Sequence, residues 1–226
     1  MDRTMKRFLA LAVAALFGSA AALWAQDGGG GLPVDVFYLM PEMAQGSVQF
    51  RDKAPAIGKF NICAVDNTIR YNDKDGTELA VEMDDSMTRV VIGGVTFVPY
   101  NGSFLRLIPV TDEVSVAVRR NVLLLTDSKT SGYGMESQTT AVSNVMGIQS
   151  DSKYYLFDEN RNVPYRLSEE AFLYRKDGVL TLTKKNFQRC FPDGKDAIEA
   201  WFSEHRKMDG AKVDEVLSLA REWAGQ

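Results

Sequence analysis

From residue 34 to residue 183 the chain reads as short runs of β-branched and aromatic residues broken by tight-turn residues. VDVFYLM, SVQF, KFNICAV and TIRYN come first; ELAVEM, RVVI, TFVPY, SFLRLIPV, VSVAVRR and NVLLLTD follow. Gly93–Gly94 separates RVVI from VTFVPY, and Asn101–Gly102 separates TFVPY from SFLRLI. Both pairs suit two-residue hairpin turns, which need positive φ at their central positions. NDKDG at 72–76 divides TIRY from TELAVEM in the same manner. Within the runs, alternation sorts side chains onto two faces. Leu79, Val81 and Met83 share one, and Val114, Val116 and Val118 share another with Ser115, Ala117 and Arg119 opposite. After a gap, KYYLFD and VPYRL flank ENRN, and AFLYRK and VLTLT flank Asp177–Gly178. Such spacing predicts a mainly β domain of antiparallel hairpins over 34–183, arranged as a sandwich, a barrel or an extended meander.

Near Thr183 the period changes from two to that of a helix. Phe187, Cys190 and Phe191 lie at helical spacing before Pro192. A second helix is expected after Asp193, carrying Ile198, Trp201 and Phe202, and the sequence MDG at 208–210 ends it. Val213, Val216, Leu217, Ala220 and Trp223 form the stripe of a third. Residues 184–226 are therefore expected to be a three-helix tail that buries these stripes against the β domain. The competing expectation is an exposed interaction module.

The N-terminus has the order of a secretory signal. Arg3, Lys6 and Arg7 precede an uncharged apolar stretch at 8–24, and Ala25 marks a cleavage point. The stretch is slightly short of the ~20 apolar residues that span a bilayer, and Gly18 and Ser19 interrupt it. A cleaved signal at 1–25, followed by a flexible glycine-rich linker at 26–33, is expected over an uncleaved anchor. The chain is then exported to the periplasm, the cell surface or the exterior, with no transmembrane segment in the mature part. Residues 1–25 contribute +2 to the net charge of −4, which leaves −6 beyond them. An acidic chain with scattered Lys and Arg lacks the basic stripe of a nucleic-acid binder.

The two cysteines, Cys63 and Cys190, permit one disulfide in an exported chain. The plainer reading is two free thiols, with Cys190 facing a core. The single histidine, His205, sits among charges in EHRK and has no nucleophile motif to serve. NDKDGTELAVE only partly matches a calcium loop, because Tyr71 stands at its first ligand position, and a hairpin turn explains it better. No motif asks for a cofactor or a metal. The Ser-, Thr- and Gly-rich stretch at 127–151 is longer than most loops in compact domains. Near its centre Tyr133, Gly134 and Met135 are candidate ligand- or partner-binding residues, against the plainer expectation of disorder.

LTKKNFQRCFPDGKDAIEAWFSEHRKMDGAKVDEVLSLAREW, together with hairpins such as GGVTFVPYNGSFLRLI, resembles exported β-rich proteins of unknown function from Bacteroidota that carry a C-terminal helical tail. The resemblance implies an envelope location and a β-rich body, and it assigns no functional residues. The expected function is a non-enzymatic binding or structural protein of the bacterial cell envelope, with an envelope protein or glycan as partner. The alternative is a hydrolase that acts on an envelope polymer through Asp and Glu residues on the β scaffold.

Overall fold

The computed structural model describes residues 32–124, 164–205, 207–208 and 210–225. The expected signal, most of the linker, the stretch at 127–151 with Tyr133, Gly134 and Met135, and the KYYLFD run lie outside them.

The described chain is one ten-stranded antiparallel sheet with helices at its C-terminal end, as the hairpin spacing and the change of period predict. A helical turn, α1 (Val34–Phe37), leads into β1 (Ala44–Phe50), β2 (Ala56–Ile62), β3 (Ile69–Asn72) and β4 (Glu78–Val81). Then come β5 (Met87–Ile92), β6 (Val95–Tyr100), β7 (Ser103–Pro109), β8 (Ser115–Leu124), β9 (Tyr165–Arg175) and β10 (Gly178–Leu180). The spatial order is β10-β9-β8-β7-β6-β5-β1-β2-β3-β4. It is a meander with one departure: β5 returns beside β1 instead of pairing with β4.

The hairpin turns are built from the residues that marked them. Gly93 and Gly94 have φ of 55° and 82°, and Asn101 and Gly102 have 47° and 73°. In the β3–β4 turn, Asp73 accepts main-chain hydrogen bonds from Asp75 and Thr77 at 2.9 and 2.8 Å, which makes it a turn former.

Three local expectations are corrected. The VDVFYLM run, read as a strand, begins as α1, because Pro33 stands at its N-cap position and Leu32 and Val36 bury one helical turn apart. The described parts of VSVAVRR and NVLLLTD, read as two strands, form the single strand β8, and those of VPYRL and AFLYRK form the single strand β9. The charged residues at the joins of these runs are cross-strand partners. Arg119 lies opposite Glu170 and Arg120 opposite Glu169, and each arginine bonds the facing carboxylate.

The departure in strand order bends the sheet. Segment 82–86 must carry the chain from β4 to β5 past β3, β2 and β1. In a flat sheet that is four strand spacings of about 4.8 Å, close to the limit of fully extended chain. Yet the segment holds a turn, with Met87 N–H bonded to Asp84 O at 3.1 Å. The sheet must therefore curl until β4 and β5 come near each other. Gly46 of β1 lies in this curled part and close against β5: a Cβ there would lie 2.1 Å from Val91 O. It pairs with Gly58 of β2, so neither strand carries a side chain at this point.

The C-terminal half is covered instead of curled. Helices α2 (Lys184–Cys190), α3 (Lys195–Glu204) and α4 (Val213–Trp223) follow β10, with a 3-10 turn, Pro192–Gly194, between α2 and α3. Thr183 caps α2 by accepting the Asn186 N–H. Phe187, Ile198, Val216, Ala220 and Trp223 are buried in one cluster with Val116, Val118, Ala171 and Leu173 of β8 and β9. Gly194 fits only because it lacks a side chain, as a Cβ would meet Trp223 O at 2.6 Å. The tail is thus core on this face. Cys190 belongs to this cluster and Cys63 to a separate one with Leu32, Val36 and Phe37. Both cysteines are free thiols.

Candidate binding cavity

Alternation along β1 to β4 sends one set of side chains into the curl. Val48, Phe60, Ile69 and Met87 are buried there, with Phe50 and Tyr71 packed partly against them. Leu79 and Val81 of β4 lie directly opposite Tyr71 and Ile69, so they belong to the same face. Apolar burial does not run to completion. Leu79 and Val81 are each 38% exposed. A concavity of about 400 Å3 remains, walled by Val48, Phe50, Phe60, Ile69, Tyr71, Val81 and Met87 and rimmed by Lys59 and Asn72. Its size and lining are those of a cleft that takes an apolar guest.

The groups around it are structural. Lys53 lies 5.4 Å over the Phe50 ring and 3.8 Å from Asp84. The Ser86 hydroxyl and N–H hold the Asp84 carboxyl below its ordinary value. In the β2–β3 turn, Asp66 accepts from Thr68 N–H at 3.0 Å and Thr68 Oγ1 at 2.7 Å. It also pairs with Arg70, both side chains being 7% exposed or less. Arg70 Nε has no partner, so this pair is the one buried ionic contact with an unmet donor among the described residues. Nearby, the Tyr38 hydroxyl donates to Glu78 at 2.9 Å, and burial followed by Glu78 raises the phenol. Burial, aided by Asp66, pushes the Cys63 thiol up to about 12, so it stays protonated and unreactive at neutral pH. Asn61 clamps Met40, donating to its carbonyl at 2.9 Å and accepting its N–H at 3.1 Å.

The residues singled out by chemistry in the sequence do not meet here. His205 is exposed just beyond α3, stacked on Trp201 with ring centres 4.4 Å apart, and its Nδ1 lies 3.1 Å from Trp201 O. Cys190 is held among the helices, where burial raises its thiol. Among the described residues no group of three or more His, Cys, Asp or Glu is placed to hold a metal, and no helix is long and apolar enough to cross a membrane. The cavity walls were missed because each looks like ordinary strand core. A signal was nonetheless present. ELAVEM is a short apolar alternation framed by acidic residues on both sides, as an incompletely buried edge strand would be.

Fold and cavity together define an antiparallel β protein with a curled, apolar N-terminal half and a helix-covered C-terminal half. No protein family, no curated protein and no solved structure matches the chain.

Proposed function

We propose that this is an exported, non-enzymatic binding protein of the bacterial envelope that holds an apolar guest in the cavity of its curled half. The observation that carries the reading is the unfinished burial at the cavity: Leu79 and Val81 stay exposed beside a space of about 400 Å3. Apolar area left in water forgoes about 25 cal/mol per Å2, which a guest restores. The nearby ionisable groups are engaged in turns and buried pairs, which favours binding over chemistry. Export rests on the order of charge and apolar residues at 1–25 and on the Bacteroidota resemblance.

Titration of the mature chain with Nile red, a neutral apolar dye, tests the binding site. Saturable fluorescence enhancement is expected, and Val81→Lys, which puts a charge at the mouth, should abolish it without lowering the melting temperature. A wild-type chain that leaves the dye dark removes the reading. Export is checked by the N-terminal residue of the chain recovered from envelope fractions. Finding Met1 intact on a cytoplasmic product would refute it.

A further inference from the structure

We infer that the guest is an extended, cationic peptide segment, which adds a strand to the outer edge of β4 and seats its apolar side chains over the cavity. This rests on the cavity being a binding site, and it goes further by naming the partner's chemistry and its mode of attachment.

The edge comes first. β4 ends the sheet, and no described strand pairs with its far side. Two hydrogen bonds fix which of its main-chain groups face outward. Cys63 N–H bonds Thr68 O, and Asp73 N–H bonds Thr77 O. Antiparallel pairs alternate between bonded and non-bonded. Counting from Cys63, Arg70 turns its main chain toward β2, which leaves Ile69 and Tyr71 to bond β4. Counting from Asp73 gives the same answer: Leu79 and Val81 bond β3. Ala80, between them, turns its N–H and C=O away from the sheet, and the residue is exposed. That is the geometry an added strand requires.

The side chains are equally suited. Leu79 and Val81 point to the cavity face and remain 38% exposed. A strand laid against Ala80 would place every second side chain beside them, over the opening between β4 and Met87.

Charge selects the partner. Segment 73–85 contains Asp73, Asp75, Glu78, Glu82, Asp84 and Asp85 against Lys74 alone. Both connections to β4 are thus acidic. A second copy would set one acidic strip against another, which is unfavourable for facing strands. Along the β4 edge an anionic amphiphile would meet the same acidic groups, whereas the lysines near the cavity, Lys53 and Lys59, come from the β1–β2 side and not from this edge. A strand with apolar residues on one face and lysine or arginine on the other satisfies edge, cavity and charge together.

The test uses the mature chain and three labelled synthetic peptides, read by fluorescence anisotropy: KVKVKVK, EVEVEVE, and KKKKVVV as a control of matching composition without alternation. Only KVKVKVK is expected to bind well, and its affinity should fall as salt is raised. Ala80→Pro removes the outward N–H without taking a bond from β3, since proline is tolerated where an edge N–H faces solvent. It should weaken KVKVKVK at least about tenfold while thermal unfolding is unchanged. If the proline unfolds the strand, Val81→Lys serves the same purpose by repelling the peptide. Equal binding of the acidic peptide or the control overturns the inference, as does indifference to Ala80→Pro. Self-association of the wild type that Ala80→Pro abolishes would also overturn it, with a second copy as the true occupant. Nile red separates the two failures. Dye binding without peptide binding sinks only the peptide inference, whereas loss of both sinks the cavity reading as well.

Discussion

The two ends of the sheet solve the same burial problem differently. Around β8 and β9, an apolar face is closed by a layer of three helices, and Phe187 and Ile198 on the inner side of that layer are fully buried. Around β1 to β4 no helix among the described residues packs into the apolar cluster, and the curl closes the middle but not the rim. A helical layer adapts to a face because each stripe can be placed independently, and aromatic contacts such as Phe187 with Trp223 at 4.9 Å fill the remainder. A curled sheet of short strands is limited by backbone reach, so its last strand keeps one edge and part of its inner face in solvent. The first arrangement favours stability, and the second leaves a cavity.

The contrast is sharpest in truncation. Phe187→Ala should cost about 3–5 kcal/mol, whereas Leu79→Ala on the open rim should cost less than about 1 kcal/mol, since surface changes are mild. Urea unfolding of both variants measures this. Comparable losses would mean that the rim is as well buried as the helical face.

Next in size is Asp66→Asn. Removing one member of a buried ion pair leaves the other uncompensated, at a cost of about 3 kcal/mol, and Arg70 already carries an unbonded Nε. If the curled half unfolds as a separate step in this variant, the halves are energetically distinct. A single shared transition would join them.

Gly46→Ala probes the bend itself. The new methyl group would meet Val91 O, so β1 and β5 must part, with an expected loss of about 1–3 kcal/mol. Hydrogen exchange should quicken in β1, β2 and β5 and stay unchanged in β8 and β9. Uniform quickening would show that the bend supports the entire sheet.

The smallest effect at neutral pH belongs to Cys63. Its thiol ionises near 9.0 as an ordinary group and near 12 in the fold. The folded chain holds the proton longer, so this contribution is whole below about pH 9 and is lost as pH rises toward about 12. Cys63→Ala should flatten the alkaline decline in stability. An unaltered slope would assign that decline elsewhere, the raised Tyr38 phenol being the neighbouring candidate.

Much of this was legible in the chain. Turn residues announced the hairpins because positive φ is a local demand that few residues meet. The change of period near Thr183 and the stripes after it announced the helices, since a period is a local property too. The merging of β8 and of β9 was not legible. Arg119, Arg120, Glu169 and Glu170 show their part only when the two strands are laid side by side. The cavity was hidden for the same reason, as Tyr71, Val81 and Met87 come from three strands that meet only after the bend. The candidate loop residues Tyr133, Gly134 and Met135 lie outside the described structure.

The sequence by itself determined an antiparallel β body, its turns, and a helical tail with an apolar face to bury, because each follows from the conformational preferences of neighbouring residues. Only the tertiary structure decided that β5 returns to β1, that the sheet curls there, and that the tail covers one half and not the other. Those choices depend on pairing between distant strands, where backbone hydrogen bonds accept nearly any side chain. They are settled by how far a short link such as 82–86 can reach and by what Gly46 leaves room for.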